Sequence, residues 1–146
     1  MRDELISNIY NQALDIISKR EHSEKEVTSK LLQKFNEPDL VDLTISRLKD
    51  NNLVNDERYA EIYIRIRKRK GFGPIRIKYE LSFKGIDGFL SSAVIKEVGG
   101  WQEAAKNAFN KKFKKGIALE YKDKAKQKNF LQNRGFTFQE IDSVFS

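Results

Sequence analysis

A chain of 146 residues, 39% hydrophobic and 34% charged, can form one ordinary domain or a few very small packing units. The absence of cysteine excludes disulfides and thiolate metal sites, and no apolar run is long enough to span a membrane. The net charge of +7 is unevenly spread: residues 1–64 carry 9 basic and 13 acidic side chains, residues 65–100 carry 9 and 3, and residues 101–146 carry 10 and 5.

The first residues, MRDELISNIYNQALDII, lack the basic start, unbroken apolar stretch and cleavage site of a signal peptide, so a soluble cytoplasmic protein is expected. Ile9, Ala13, Ile16 and Ile17 share one face of a first helix. A capping box at Ser23-Glu24-Lys25-Glu26 predicts the start of a second, with Val27, Leu31 and Leu32 on its apolar side. Pro38 fits the first position of a third helix, where a missing N–H removes no bond. Tyr59, Ile62, Tyr63 and Ile66 mark the buried face of the next helix, which Gly71 closes before Gly73 and Pro74 open another. Gly85, Gly99-Gly100 and Gly135 fall at further helix ends, and Thr137-Phe138-Gln139-Glu140 is a second capping box.

A shift of fifty residues aligns SEKEVTSKLLQKF (23–35), GPIRIKYELSFKG (73–85) and DKAKQKNFLQNRG (123–135). Leu31, Leu81 and Leu131 coincide, as do Lys34, Lys84 and Arg134. Such a period is the mark of a helical array. The expected fold is all-α, with three tandem three-helix units near 1–54, 55–100 and 101–146 forming an elongated, curved array.

Reactive chemistry is sparse. His22 is the only histidine, and its place before a capping box assigns it a local structural role. The acidic residues alternate with basic ones at ion-pairing spacing. Trp101 and most of the ten phenylalanines occupy apolar positions, where core packing is expected. No catalytic constellation, metal site or cofactor motif emerges, so a non-enzyme is expected. GFGP lacks the G-K-[ST] ending of a phosphate loop and reads as a tight turn between helices.

Charge is concentrated in two places. Arg58, Arg65, Lys68 and Arg69 share one helix face, and Arg76 and Lys78 follow the turn. This ridge suits phosphate oxygens or a carboxylate-rich groove. A looser basic run comprises Lys111, Lys112, Lys114, Lys115, Lys122, Lys124, Lys126 and Lys128, and calls only for non-specific electrostatics.

Three stretches, ALDIISKREHSEKEV, RLKDNNLVNDERYAEIYIRIRKRKGFGPIRIKYELSFKGID and FLQNRGFTFQEIDSVF, together resemble the RecX family, regulators of the bacterial RecA recombinase. The most specific parts are REHS (20–23), D-x-R-[YF]-A (56–60) and R-K-G-[FY]-G-P-x-R-I (69–77), while residues 102–128 resemble the family only loosely. The first unit departs from the pattern at QKFNEPD, where the family usually has a glycine before the aromatic. The resemblance implies tandem three-helix units and a protein that lies in the groove of the RecA–DNA filament. It also implies inhibition of strand exchange and ATP hydrolysis, and in many members direct binding of DNA.

Carried over to this sequence, the contact candidates are Arg65, Arg67, Arg69, Lys70 and Arg76, with Lys68 and Lys78 alongside. The expected partners are the RecA filament and DNA, single- or double-stranded and without sequence preference. No membrane partner is expected, and nothing asks for a dimer. The alternative is a general DNA-binding protein of helix-turn-helix type. Small helical units favour it, and the lack of Asn, Gln and Arg grouped at a recognition-helix start opposes it.

Overall fold

The computed structural model describes all 146 residues as nine α-helices and no strand. These are α1 (Arg2–Lys19), α2 (Glu24–Lys34), α3 (Pro38–Asp50), α4 (Asp56–Arg69), α5 (Pro74–Phe83), α6 (Gly88–Val98), α7 (Trp101–Lys112), α8 (Tyr121–Asn133) and α9 (Phe138–Phe145). The expected start signals hold at the atomic level. Ser23 and Thr137 each exchange both capping-box bonds with the glutamate three residues on, and Pro38 and Pro74 occupy first helical positions. Helix α2 ends at Lys34 without a glycine, because Phe35 turns extended while its N–H still bonds Leu31. Gly71 does close α4, at a φ of +92° that a side chain would disfavour.

The repeat has a packing basis. Leu31, Leu81 and Leu131 are all fully buried. Lys34, Lys84 and Arg134 instead diverge: Lys34 bonds Gln12, Lys84 pairs with Glu26, and Arg134 reaches the carbonyls of Lys70 and Gly71. Two assigned faces need correction. Leu32 is exposed, and on α4 the buried positions are Tyr59, Ala60 and Ile64, while Ile62 and Ile66 are about 40% exposed. Tyr59 is buried as expected and Tyr63 half-buried, so the stripe runs through 59, 60, 63 and 64 and is turned toward Ala60 and Ile64, away from Ile62 and Ile66.

The chain forms two compact units, Met1–Ala60 with Phe83–Ile86, and Glu61–Ser82 with Asp87–Ser146. In the first, α1, α2 and α3 pack together around Ile9, Ala13, Val27, Leu31, Val41, Ile45 and Leu48. Its polar residues tie the ends of these helices. Arg20 pairs with Glu26 at 3.1 Å, Arg58 with Glu21 at 2.9 Å, and the buried Ser23 hydroxyl donates to the Lys84 carbonyl at 2.6 Å. A carboxylate oxygen of Asp56 accepts the Glu24 N–H, one of the four that the start of α2 leaves unpaired. REHS and DERYA are therefore two halves of one polar lock.

His22 is buried within that lock. Its Nδ1 donates to the Arg20 carbonyl at 2.7 Å, and its Nε2 accepts from Lys30 Nζ at 2.9 Å, which a neutral ring satisfies. Burial lowers its pKa below the ordinary 6.5; the bond to Arg20 opposes this, and the charges of Arg20 and Lys30 add to it. The unfolded chain then binds the proton first, so stability present above about pH 6.5 is lost as the pH falls below it. Glu26 acts in a separate window. Burial would raise its carboxyl, but the hydrogen bonds from Arg20 and Ser23 hold it below 4.5. The urea midpoint of the wild type should fall between about pH 7 and pH 5, and His22→Gln should flatten that slope. Equal slopes in both proteins would refute this account.

In the second unit α9 packs on α7 and α8. Phe109 meets Phe145, and Phe113 meets Phe130, edge to face at 5.4 Å in both cases. Two turns of this unit dock backbone to backbone: the Gly73 N–H donates to the Arg134 carbonyl at 2.7 Å, and the Ile75 N–H to that of Gly135 at 2.9 Å. No helix is long and apolar enough to cross a membrane.

Candidate functional site

The docked turns bring the end of α4 beside α7 and the end of α8, and between them lies an open groove of about 800 Å³. Arg65, Lys68, Arg69 and Lys70 line it from one side, Lys111, Lys112 and Arg134 from the others, and Glu103 is the one carboxylate among the lining residues. Gly71, Gly100, Ala104 and Ala108 also line it, and their small size keeps the space open. The two basic runs, which the sequence presents as separate, thus meet in one concavity.

The cations differ in how far they are committed. Lys68 is half-buried, donates to the Gly99 carbonyl at 2.8 Å and lies over the Trp101 ring. Arg134 is held by the carbonyls of Lys70 and Gly71. Arg65 shares an exposed pair with Glu61, four residues away on the same helix, a contact worth only a few tenths of a kcal/mol. Arg69, Lys70, Lys111 and Lys112 are exposed, and no carboxylate lies within ion-pair distance of them. Like charges this dense repel, and a polyanion relieves the repulsion while releasing its own counterions.

Other candidates sit elsewhere. Arg58 belongs to the first unit, where its guanidinium is taken by Glu21 and the carbonyls of Asn52 and Leu53. Arg67 makes a two-pronged pair with Glu80 at 2.9 and 2.8 Å, each partner 20% exposed, and Arg76 reaches the same carboxylate at 3.3 Å. Arg67, Arg76 and Arg134 surround the Phe72 ring at 3.9, 4.5 and 4.7 Å. Burial would raise the Glu80 carboxyl, but the bonds from Arg67 and Tyr63 outweigh it and hold it low. Burial, reinforced by Glu80, pushes the Tyr63 phenol up to about 12. Lys78 is exposed on α5, and Lys114, Lys115, Lys122, Lys124, Lys126 and Lys128 lie outside the groove lining. Lys128 sits over the Phe145 ring at 5.3 Å.

Sequence reasoning missed Arg134 as a site residue, having used it only as a repeat marker. Its partners are 64 and 63 positions away, and no local pattern encodes that. No cluster of three or more His, Cys, Asp or Glu side chains could hold a metal ion.

Three family models match the chain in order: RecX first three-helix domain over residues 10–48, second over 55–95 and third over 102–145. The regulatory protein RecX of Pseudomonas tolaasii is 34% identical over 135 residues, covering 92% of this chain and 87% of the relative. That of Pseudomonas syringae pv. tomato is 32% identical over 139 residues, covering 94% and 90%. The crystal structure of RecX from Lactobacillus salivarius superposes with a TM-score of 0.87 at 30% identity, over 99% of this chain and 96% of that one. A second RecX crystal structure shares the fold, with a TM-score of 0.82 at 20% identity over 96% and 71%.

Proposed function

Because the chain belongs to the RecX family, we propose that it binds the RecA recombinase filament on DNA and inhibits its recombinase and ATPase activities, with no chemistry of its own. In this reading it acts in the cytoplasm on DNA repair and recombination, through three units near 1–54, 55–100 and 101–146. The observation that carries the proposal is the groove, in which seven cations face one carboxylate. A phosphate backbone is the polyanion such a concavity suits, and its positive field speeds encounter with a filament wrapped on DNA.

The test is the DNA-dependent ATPase of RecA with DNA in large excess. The wild type should inhibit at substoichiometric amounts, and Arg69→Glu combined with Lys111→Glu should weaken inhibition by tenfold or more while helical circular dichroism and melting stay unchanged. That magnitude follows from removing two phosphate contacts and adding two repulsive ones, and it should shrink as salt is added. If free DNA abolishes the wild-type inhibition, simple competition for DNA explains it and the regulator reading falls.

A further inference from the structure

The connection between α7 and α8 runs over residues 113–120, twice the length of the four-residue links 20–23 and 70–73 between α1 and α2 and between α4 and α5. It leaves α7 directly after Lys111 and Lys112, which line the groove. Its tip holds two large side chains fully out in solvent, Leu119 at 98% exposed and Tyr121, the first residue of α8, at 89%, with the exposed Glu120 between them. Yet the loop is held. The buried Gln127 side chain donates to the Gly116 carbonyl at 3.0 Å and accepts the Ala118 N–H at 3.0 Å, satisfying both ends of its amide. Lys114, Lys115 and Lys122 flank the tip.

We propose that this loop contacts the bases of single-stranded nucleic acid whose phosphates run through the groove, with the Tyr121 ring stacking on a base and Leu119 wedging beside it. The proposal rests on the groove being a phosphate track. Two exposed large side chains alone would suit many partners. Lysines on both sides and a basic groove at the loop's root select a polyanion, and among polyanions a single strand offers open base faces for an aromatic ring. Because Gln127 fixes the loop beforehand, little ordering cost falls on binding. The contact carries no base code, since any base has a face to stack.

The experiment compares full-length wild type with Leu119→Ser/Tyr121→Ser on three labelled probes: an oligothymidylate strand, an abasic strand of equal length, and a duplex. The double variant should bind the oligothymidylate about tenfold more weakly. Its affinity for the abasic strand and the duplex, its salt dependence and its melting should match the wild type. Gln127→Ala, which frees the loop but keeps its side chains, should give a smaller loss confined to the same probe. Equal losses on all three probes, no loss on the oligothymidylate, or a wild type that fails to bind that strand would each overturn the proposal. The groove variant Arg69→Glu/Lys111→Glu separates the two claims, because it should weaken all three probes. If it weakens none while the loop variant still discriminates, the groove assignment fails alone.

Discussion

Gly73→Ala is expected to lower the unfolding free energy by about 3–5 kcal/mol. A Cβ at this position would lie 2.5 Å from the Gly135 carbonyl carbon and the Phe136 nitrogen, and 2.6 Å from the Gly135 oxygen. All three atoms are backbone, so no side chain can swing aside. The two turns must separate, stretching the bonds from Gly73 N–H to Arg134 and from Ile75 N–H to Gly135. Each lost bond contributes about 1 kcal/mol and the overpacking about 1–3 more. Gly116→Ala is the control. Nothing lies within 4 Å of its Cβ, so only the positive φ of 84° opposes the change, at about 1 kcal/mol. Urea unfolding compares the two. A Gly73→Ala loss no larger than that of Gly116→Ala would show that the docking of the turns is loose.

The same contact shows how far the sequence could be read. Helix starts were legible because capping boxes and N-terminal prolines are local chemistry: Ser23 and Glu26, or Thr137 and Glu140, need only each other. The period of fifty was legible because Leu31, Leu81 and Leu131 do the same work in α2, α5 and α8. What the sequence could not disclose was Gly73 facing Gly135, or Arg134 reaching Lys70. Such pairings join distant positions and leave no spacing to detect.

Many residues of the family-like motifs are also engaged within the chain itself. Arg20, Glu21, His22 and Ser23 are all engaged within the first unit, along with Asp56 and Arg58. In the GFGPIRI turn, Phe72 is enclosed by guanidinium groups, Gly73 is a contact and Ile77 is core. The exposed groove cations Arg69, Lys70, Lys111 and Lys112 come from one edge of that motif and from the end of α7.

That division makes opposite demands of two neighbouring arginines. Arg67→Gln should destabilise the second unit, and Arg69→Gln, exposed on the same helix, should leave stability within about 0.5 kcal/mol. Glu80→Gln is the stronger probe, because it strips charge from the acceptor of Arg67, Arg76 and Tyr63 at once. The largely buried Arg67 and the more exposed Arg76 then lose their carboxylate beside Phe72, and a loss of about 2–4 kcal/mol is expected, most of it from Arg67. The Arg67→Gln/Glu80→Gln pair should show a coupling of about 1–3 kcal/mol in a double-mutant cycle.

Two titrations report the same centre. With its folded pKa held below the ordinary 4.5, Glu80 contributes stability above that pH that is lost as acid protonates it, and Glu80→Gln should remove this part of the acid slope. Tyr63, now near 12, should titrate lower in Glu80→Gln, since burial remains but the carboxylate is gone. Ring-labelled tyrosine spectra would follow it. If instead Arg67→Gln leaves stability untouched and weakens DNA and filament binding as much as Arg69→Gln, Arg67 belongs to the binding surface and the structural assignment of the Glu80 centre is wrong.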